Sequence, residues 1–317
     1  MLAGGDALTE KVRRSWLLAP ASKEERIERA HLAGSDVVVL DLVDFVAEED
    51  KPSAREKIAE AIDQVKAGGA EAFVQVDPEL LYADLRASVW PGLSGIIIAR
   101  LESPRQVAEA HRLLGRLEEE RGIHPHSLEI VGALETAQGN FQGYEIATSS
   151  PRIWGLTLGR ADLVMDLRPE PSGEIHLMQY LMQRLITVAN AAGAVPLGAW
   201  WRAPDRGLLA TPENTYLAAY RGRAIGFKGS FCVGEDQAGP LNQGFTPTNL
   251  EVGAARRLLE AYDQGAAQGT AAVRWGERII DSGAAAQARR TLDLASACAA
   301  RDEAKAAALE QRPLPAP

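Results

Sequence analysis

The chain has 317 residues, 46% hydrophobic and 24% charged, with a formal net charge of −9. That length suits one α/β domain of roughly 200–250 residues plus an appendage. The acidic balance argues against nucleic acid or an anionic membrane as the main partner, so an anionic ligand needs a local Arg cluster or a metal ion.

The chain opens "MLAGGDALTEKVRRSW", charged from Asp6 onward and without an apolar run of signal-peptide type, and a cytoplasmic location is expected. The first strand is read at "SWLLAP" (15–20), followed by a helix over 22–34 with Ser22 as N-cap and Gly34 as stop. Strands follow at "DVVVLDLVD" (36–44), "AFVQVD" (72–77) and "GIIIAR" (95–100), then a helix over 103–122. "EIVGALE" (129–135) and "RIWGLTLG" (152–159) continue the series. The apolar stretch 177–201 is interrupted by Arg184 and Asn190, and reads as helix, glycine turn and strand rather than a membrane span. A helix over 175–193, "AVPLGAW" (194–200) and "KGSFCV" (228–233) complete it. Strands alternating with helices eight times predict a TIM (β/α)8 barrel over residues 1–248. Near Gly244 the texture changes to Ala-rich helix, which marks 249–317 as a helical extension.

The two cysteines, Cys232 and Cys298, stand far apart and outside any CxxC, which excludes a zinc finger and a disulfide framework and fits a reducing compartment. The five histidines, at 31, 111, 124, 126 and 176, fall in helical or loop stretches and are expected at the surface. No glycine-rich phosphate loop is present.

In a barrel of this kind the C-terminal strand ends form the active face. Those ends carry Pro20, Asp41, Asp44, Gln75, Asp77, Arg100, Glu102 and Glu135, with Asp162 following "TLGRADL". Converging carboxylates repel one another unless a cation or an Arg lies among them. Oxygen donors without His or Cys favour a hard ion such as Mg²⁺. Glu135 alone admits a plainer reading, a strand-end residue in water.

Several segments in order resemble the citrate lyase β-subunit-like group of the HpcH/HpaI aldolase superfamily, which includes malyl-CoA and citramalyl-CoA lyases. They are "RSWLLAP", "GSDVVVLDLVDFVAEEDKPSAR", "GIIIARLESPRQV", "ALETAQG", "LGRADLVMDL", "FTPTNLEVGAARRLLEAY" and "WGERIIDSGAAAQARR". The resemblance implies a Mg²⁺-dependent carbon–carbon lyase acting on a β-hydroxy acid or its CoA thioester. It implies Glu135 and Asp162 as metal ligands, and Asp281 as an acid/base group reaching a neighbouring subunit within a homotrimer or hexamer. Arg100 and Gln75 are the other catalytic candidates, and Arg14, Asp41 and Asp44 are substrate-binding candidates.

The chain departs from the group at four places. Gln75-Val76-Asp77 stands where Arg-Val-Asn is usual, Val43 where Glu is usual, Arg100 where Lys is usual, and Val233-Gly234-Glu235 where Ile-His-Pro is usual. Gln cannot supply the charge of an arginine. Two alternatives therefore stand beside the lyase: a thioesterase on the same scaffold, and a non-catalytic or weakly active relative that binds metal and ligand.

Overall fold

The computed structural model describes residues 11–169, 174–200, 211–267, 270, 272–276 and 278–311. The chain divides into two compact units, one of Arg13–Phe245 with the segment from Lys305 onward, the other containing Thr246–Ala304.

The larger unit is a closed parallel barrel. Its strands are β1 (Ser15–Pro20), β2 (Val37–Asp41), β3 (Glu71–Val76), β4 (Leu93–Ile98), β5 (Glu129–Ala133), β6 (Ile153–Thr157), β7 (Val195–Leu197) and β8 (Ser230–Cys232). They pair in the order β7-β6-β5-β4-β3-β2-β1-β8. A parallel bridge between Leu197 and Gly229 closes the ring. There Gly198 N donates to Gly229 O at 2.7 Å and Lys228 N to Pro196 O at 3.0 Å. Between and after the strands run α1 (Glu24–Ala30), α2 (Lys51–Ala67), α3 (Leu81–Ser88), α4 (Pro104–Glu120), α5 (Ala137–Phe141) and α6 (Gly143–Thr148). They are followed by α7 (Arg160–Leu167), α8 (Glu174–Ala192), α9 (Pro212–Ile225) and α10 (Ala238–Phe245).

Strand periodicity divides the core in two. Trp16, Val37, Val39, Phe73, Ile97, Val131, Ala133, Val195 and Leu197 point inward and fill the barrel. Their neighbours Leu17, Val38, Leu40, Val74, Ile96, Ile98 and Ile130 point outward under the helices. Helix boundaries follow local chemistry. The α4 helix starts on a capping box of Ser103 and Gln106 with Pro104 in its first turn. The first helix is shorter than 22–34: it begins after Lys23, whose carbonyl already accepts from Arg26 and Ile27, so Ser22 is not its cap. His31, expected at the surface, is buried, because α2 ends at Gly68 directly against it. A Cβ at Gly68 would lie 2.5 Å from the His31 carbonyl oxygen, and glycine allows the close approach.

The N-terminal end of the barrel is built from buried ion pairs. Arg13 Nε donates to Glu71 Oε1 at 3.0 Å, and its guanidinium also pairs with Glu129. The same guanidinium lies 4.4 Å from the ring centre of Trp154 and 4.9 Å from that of Phe73. Arg14 Nε and backbone N both donate to Asp36 Oδ2, at 2.9 and 2.8 Å, and Lys305 Nζ donates to Asp36 Oδ1 at 2.7 Å. This corrects Arg14 as a substrate-binding candidate. It precedes β1 as Asp36 precedes β2, so the parallel register puts both at the end opposite the active face.

The smaller unit contains α11 (Asn249–Ala267), an antiparallel hairpin of β9 (Val273–Trp275) and β10 (Arg278–Ile280), and most of α12 (Ser282–Glu310). The hairpin was not read from sequence. It packs on α11 where Gly265 leaves room for Val273.

Removing one partner of a buried pair costs about 3–5 kcal/mol when the other charge is stranded, and less where, as here, Lys305 still pairs with Asp36. Arg14→Met is expected to lose about 1–3 kcal/mol in urea denaturation while the folded variant keeps its ligand affinities. An affinity change without a stability change would place Arg14 at the ligand.

Candidate active site

At the C-terminal rim the inward-facing stripes change from apolar to polar. On β2 the series Val37, Val39 continues to Asp41; on β3 Phe73 continues to Gln75 and then Asp77; on β5 Val131 and Ala133 continue to Glu135. Alternation therefore aims Gln75, Asp77 and Glu135 into the mouth, and all three are buried.

Asp41 serves another purpose. Its Oδ1 accepts from the backbone N of Val43 at 2.9 Å and of Asp44 at 3.2 Å, and its Oδ2 from Phe45 N at 2.7 Å. With both oxygens spent on folding back the β2 loop, Asp41 is corrected from substrate binding to holding the loop. That loop carries Asp44 to the rim, where its Oδ2 accepts from Gln75 Nε2 at 2.7 Å. Burial raises the pKa of Asp44, the Gln75 hydrogen bond opposes this, and the charge of Asp162 adds to it.

Arg100 follows β4 in the left-handed region, with φ 45°. Such a backbone costs a non-glycine residue about 1–3 kcal/mol, and it marks a constrained site. Its N–H points at Glu135 Oε2, 2.8 Å away. Its guanidinium Nη2 donates to Asp77 Oδ2 at 2.9 Å. The backbone N–H of Glu102 donates to Gln106 Oε1 at 2.9 Å, within the α4 cap.

Glu135 sits two residues beyond β5 and is 7% exposed. Burial pushes its pKa up to about 7; the Arg100 N–H opposes the rise, and the charges of Asp44 and Asp162 reinforce it. The carboxylate presses on the start of α7, where a Cβ at Gly159 would fall 2.2 Å from Glu135 Oε1. Behind it, Thr136 Oγ1 accepts from Gly139 N at 3.1 Å to cap α5. Asp162 is not at a strand end but in the first turn of α7, exposed and within electrostatic reach of Glu135 and Asp44.

Asp281 lies in the smaller unit, exposed, where its Oδ1 accepts from Ala284 N at 2.8 Å and caps α12. Sequence reading missed Lys51 and Gly159. Lys51 is buried, pairs with Glu48 and places Nζ 3.9 Å from Asp77 Oδ2. In "EEDKPS" it reads as a solvated helix start, and only its burial distinguishes it. Gly159 carried a signal in "TLGRAD", a glycine between a strand and a helix that a carboxylate must approach.

A metal fits this donor set in one way. Among the described residues no three His, Cys, Asp or Glu side chains gather to enclose an ion. Glu135, whose charge is opposed by that of Asp162, and Asp162 itself offer two carboxylates, a set suited to an ion that keeps several water ligands, as Mg²⁺ does.

The model of the HpcH/HpaI aldolase/citrate lyase family matches residues 14–233. The chain belongs to this family. It is 24% identical over 291 residues to the citrate lyase subunit β of Leuconostoc mesenteroides subsp. cremoris, covering 91% of this chain and 95% of the relative. It is 27% identical over 299 residues to the L-malyl-CoA/β-methylmalyl-CoA lyase of Cereibacter sphaeroides, covering 87% and 92%. Among solved structures it resembles Mycobacterium tuberculosis CitE in complex with magnesium, acetoacetate and coenzyme A, at TM-score 0.69 and 23% identity, covering 89% of this chain and 97% of that one. The family's barrel is thus the fold found here. No helix among the described residues is long and apolar enough to cross a membrane.

A carboxyl whose pKa rises on folding, here from about 4.5 to about 7, stabilises the fold below pH 4.5 and loses that contribution as the pH rises through 7. In chelator-treated protein, Glu135→Gln is therefore expected to gain stability relative to the parent between pH 4.5 and 7, by up to about 3 kcal/mol. Denaturation series at stepped pH measure the difference, and a constant gap would contradict it.

Proposed function

We propose that the protein is a Mg²⁺-dependent carbon–carbon lyase that cleaves a β-hydroxy acid, carried as its CoA thioester, into a 2-oxo acid and a shorter thioester. The observation that carries the reading is the buried Glu135 carboxylate, pressed against Gly159 and facing Asp162 and Asp44, with Arg100 held beside it. Relatives named as citrate and malyl-CoA lyases across nine-tenths of the chain support it, as does a fold neighbour crystallised with magnesium and coenzyme A.

In this reading Glu135 and Asp162 hold the ion, which when bound would supply Lewis-acid polarisation of the substrate's oxygens. Arg100 binds the carboxylate of the 2-oxo acid portion, and Gln75, fixed on Asp44, donates a neutral hydrogen bond at the rim. Cleavage takes the proton from the β-hydroxyl, breaks the bond between the carbinol carbon and the carbon next to the thioester, and returns a proton to that second carbon. Asp281, from the extension of a neighbouring subunit, is the acid/base group for these transfers. The extension over 249–317 serves assembly as a homotrimer or hexamer.

Two variants test the metal. Calorimetry on Glu135→Gln and Asp162→Asn should show Mg²⁺ binding reduced at least tenfold, and unchanged affinity in both would sink the assignment. A panel of malyl-, citramalyl- and citryl-type thioesters should yield a 2-oxo acid with the thioester bond intact. Free thiol without carbon–carbon cleavage would point to the thioesterase instead. Light scattering at micromolar concentration should return a multiple of the 34.1 kDa chain; a monomer would remove the basis for Asp281 acting in trans.

A further inference from the structure

Asp77 has no place in the scheme above, yet its carboxylate is held on both oxygens at the mouth. It follows β3 directly and is 6% exposed. Its Oδ1 accepts from Glu79 N at 2.9 Å, and its own N–H donates to Asp84 Oδ2 at 2.9 Å. Asp84 is held in turn by Arg55 Nε at 2.8 Å. From beneath, the buried Lys51 brings Nζ to 3.9 Å of Asp77 Oδ2. The oxygen so fixed then takes Arg100 Nη2 at 2.9 Å.

Arg100 is consequently held at two points. Its backbone N–H is bound to Glu135 and its guanidinium to Asp77, while the side chain stays 39% exposed at the mouth. A guanidinium is a planar fork of five N–H donors. The Nη2 bond to Asp77 tethers the fork at one nitrogen and leaves its other N–H donors for a second carboxylate. Lys51, which also pairs with Glu48, adds a second positive charge beside Asp77.

We propose that Asp77 is a positioning residue that orients Arg100, with Lys51 as a second positive charge beside it, to bind the carboxylate of the substrate's 2-oxo acid portion. The inference rests on the lyase reading for the identity of the ligand. It explains how a neutral Gln75 on β3 coexists with an anionic ligand: the cation comes from the next strand and β3 supplies the carboxylate that aims it.

The test is a binding cycle on the full-length protein with saturating Mg²⁺, using pyruvate as probe and methyl pyruvate as the same probe without its charge. Asp77→Asn and Arg100→Gln should each weaken pyruvate about tenfold, as loss of a charge-assisted hydrogen bond does. The double variant should be no worse than Arg100→Gln alone, because Asp77 acts only through Arg100. Methyl pyruvate binding should not move in Asp77→Asn, in which the Arg100 N–H still holds Glu135. Additive losses, equal losses with methyl pyruvate, or unchanged pyruvate binding in Asp77→Asn would each overturn the proposal. Asp77→Glu keeps the charge and serves if Asp77→Asn fails to fold; it should retain part of the pyruvate affinity, and full loss despite native melting would count against the role. If the parent protein binds Mg²⁺ but neither probe and cleaves no thioester, the lyase reading falls, and this inference with it. If the parent binds pyruvate and the cycle is additive, only the inference falls.

Discussion

A carboxylate buried beside other carboxylates is the constraint around which the mouth is arranged. Glu135 is carried inward by the alternation of β5, against the glycine that opens α7, and its charge is opposed by desolvation and by Asp44 and Asp162. Its position is affordable only because neighbouring groups are spent on it. Arg100 adopts a left-handed backbone to turn its N–H toward Oε2, and Gly159 gives up a side chain. Thr136 and Gly139 lock the turn that follows. A site held this way has its electrostatic cost built in before any ligand arrives, which is the condition under which a bound cation gains most.

The opposite end of the barrel shows the reverse logic. Arg13 and Arg14 each face oppositely charged partners at close range, and Arg13 is also stacked among aromatic rings. Charges at the N-terminal end are compensated; at the C-terminal end Asp77 is paired with Arg100, while Glu135 is left among the charges of Asp44 and Asp162. Parallel register makes the separation possible, because every strand presents its first residue to one rim and its last to the other.

How much of this was legible in sequence depends on whether a feature is local. The eight strands announce themselves as short apolar runs, and most boundaries shift by only a residue or two. β2 differs more, stopping at Asp41 because that side chain accepts the amides which would have continued the ladder. Glu135 was readable because a carboxylate interrupted an apolar run. Arg14 was misplaced because Arg13-Arg14 adjoins a motif strand, and sequence adjacency does not tell which end of that strand faces the ligand. The burial of His31 and Lys51 depends on a helix arriving from elsewhere in the chain, and neither residue carries a local sign of it. The hairpin of β9 and β10 is only three residues a side, too short for a two-residue period to register.

The packing of the barrel interior has a corollary. Trp16 lies in tilted contact with Trp154 and Phe231 and edge-on to Phe73, and Arg13 closes the floor beneath them. The staves therefore enclose a solid plug rather than a corridor. The barrel axis is closed to a ligand, which exchanges with solvent at the C-terminal rim, where Gln75, Asp77 and Glu135 lie.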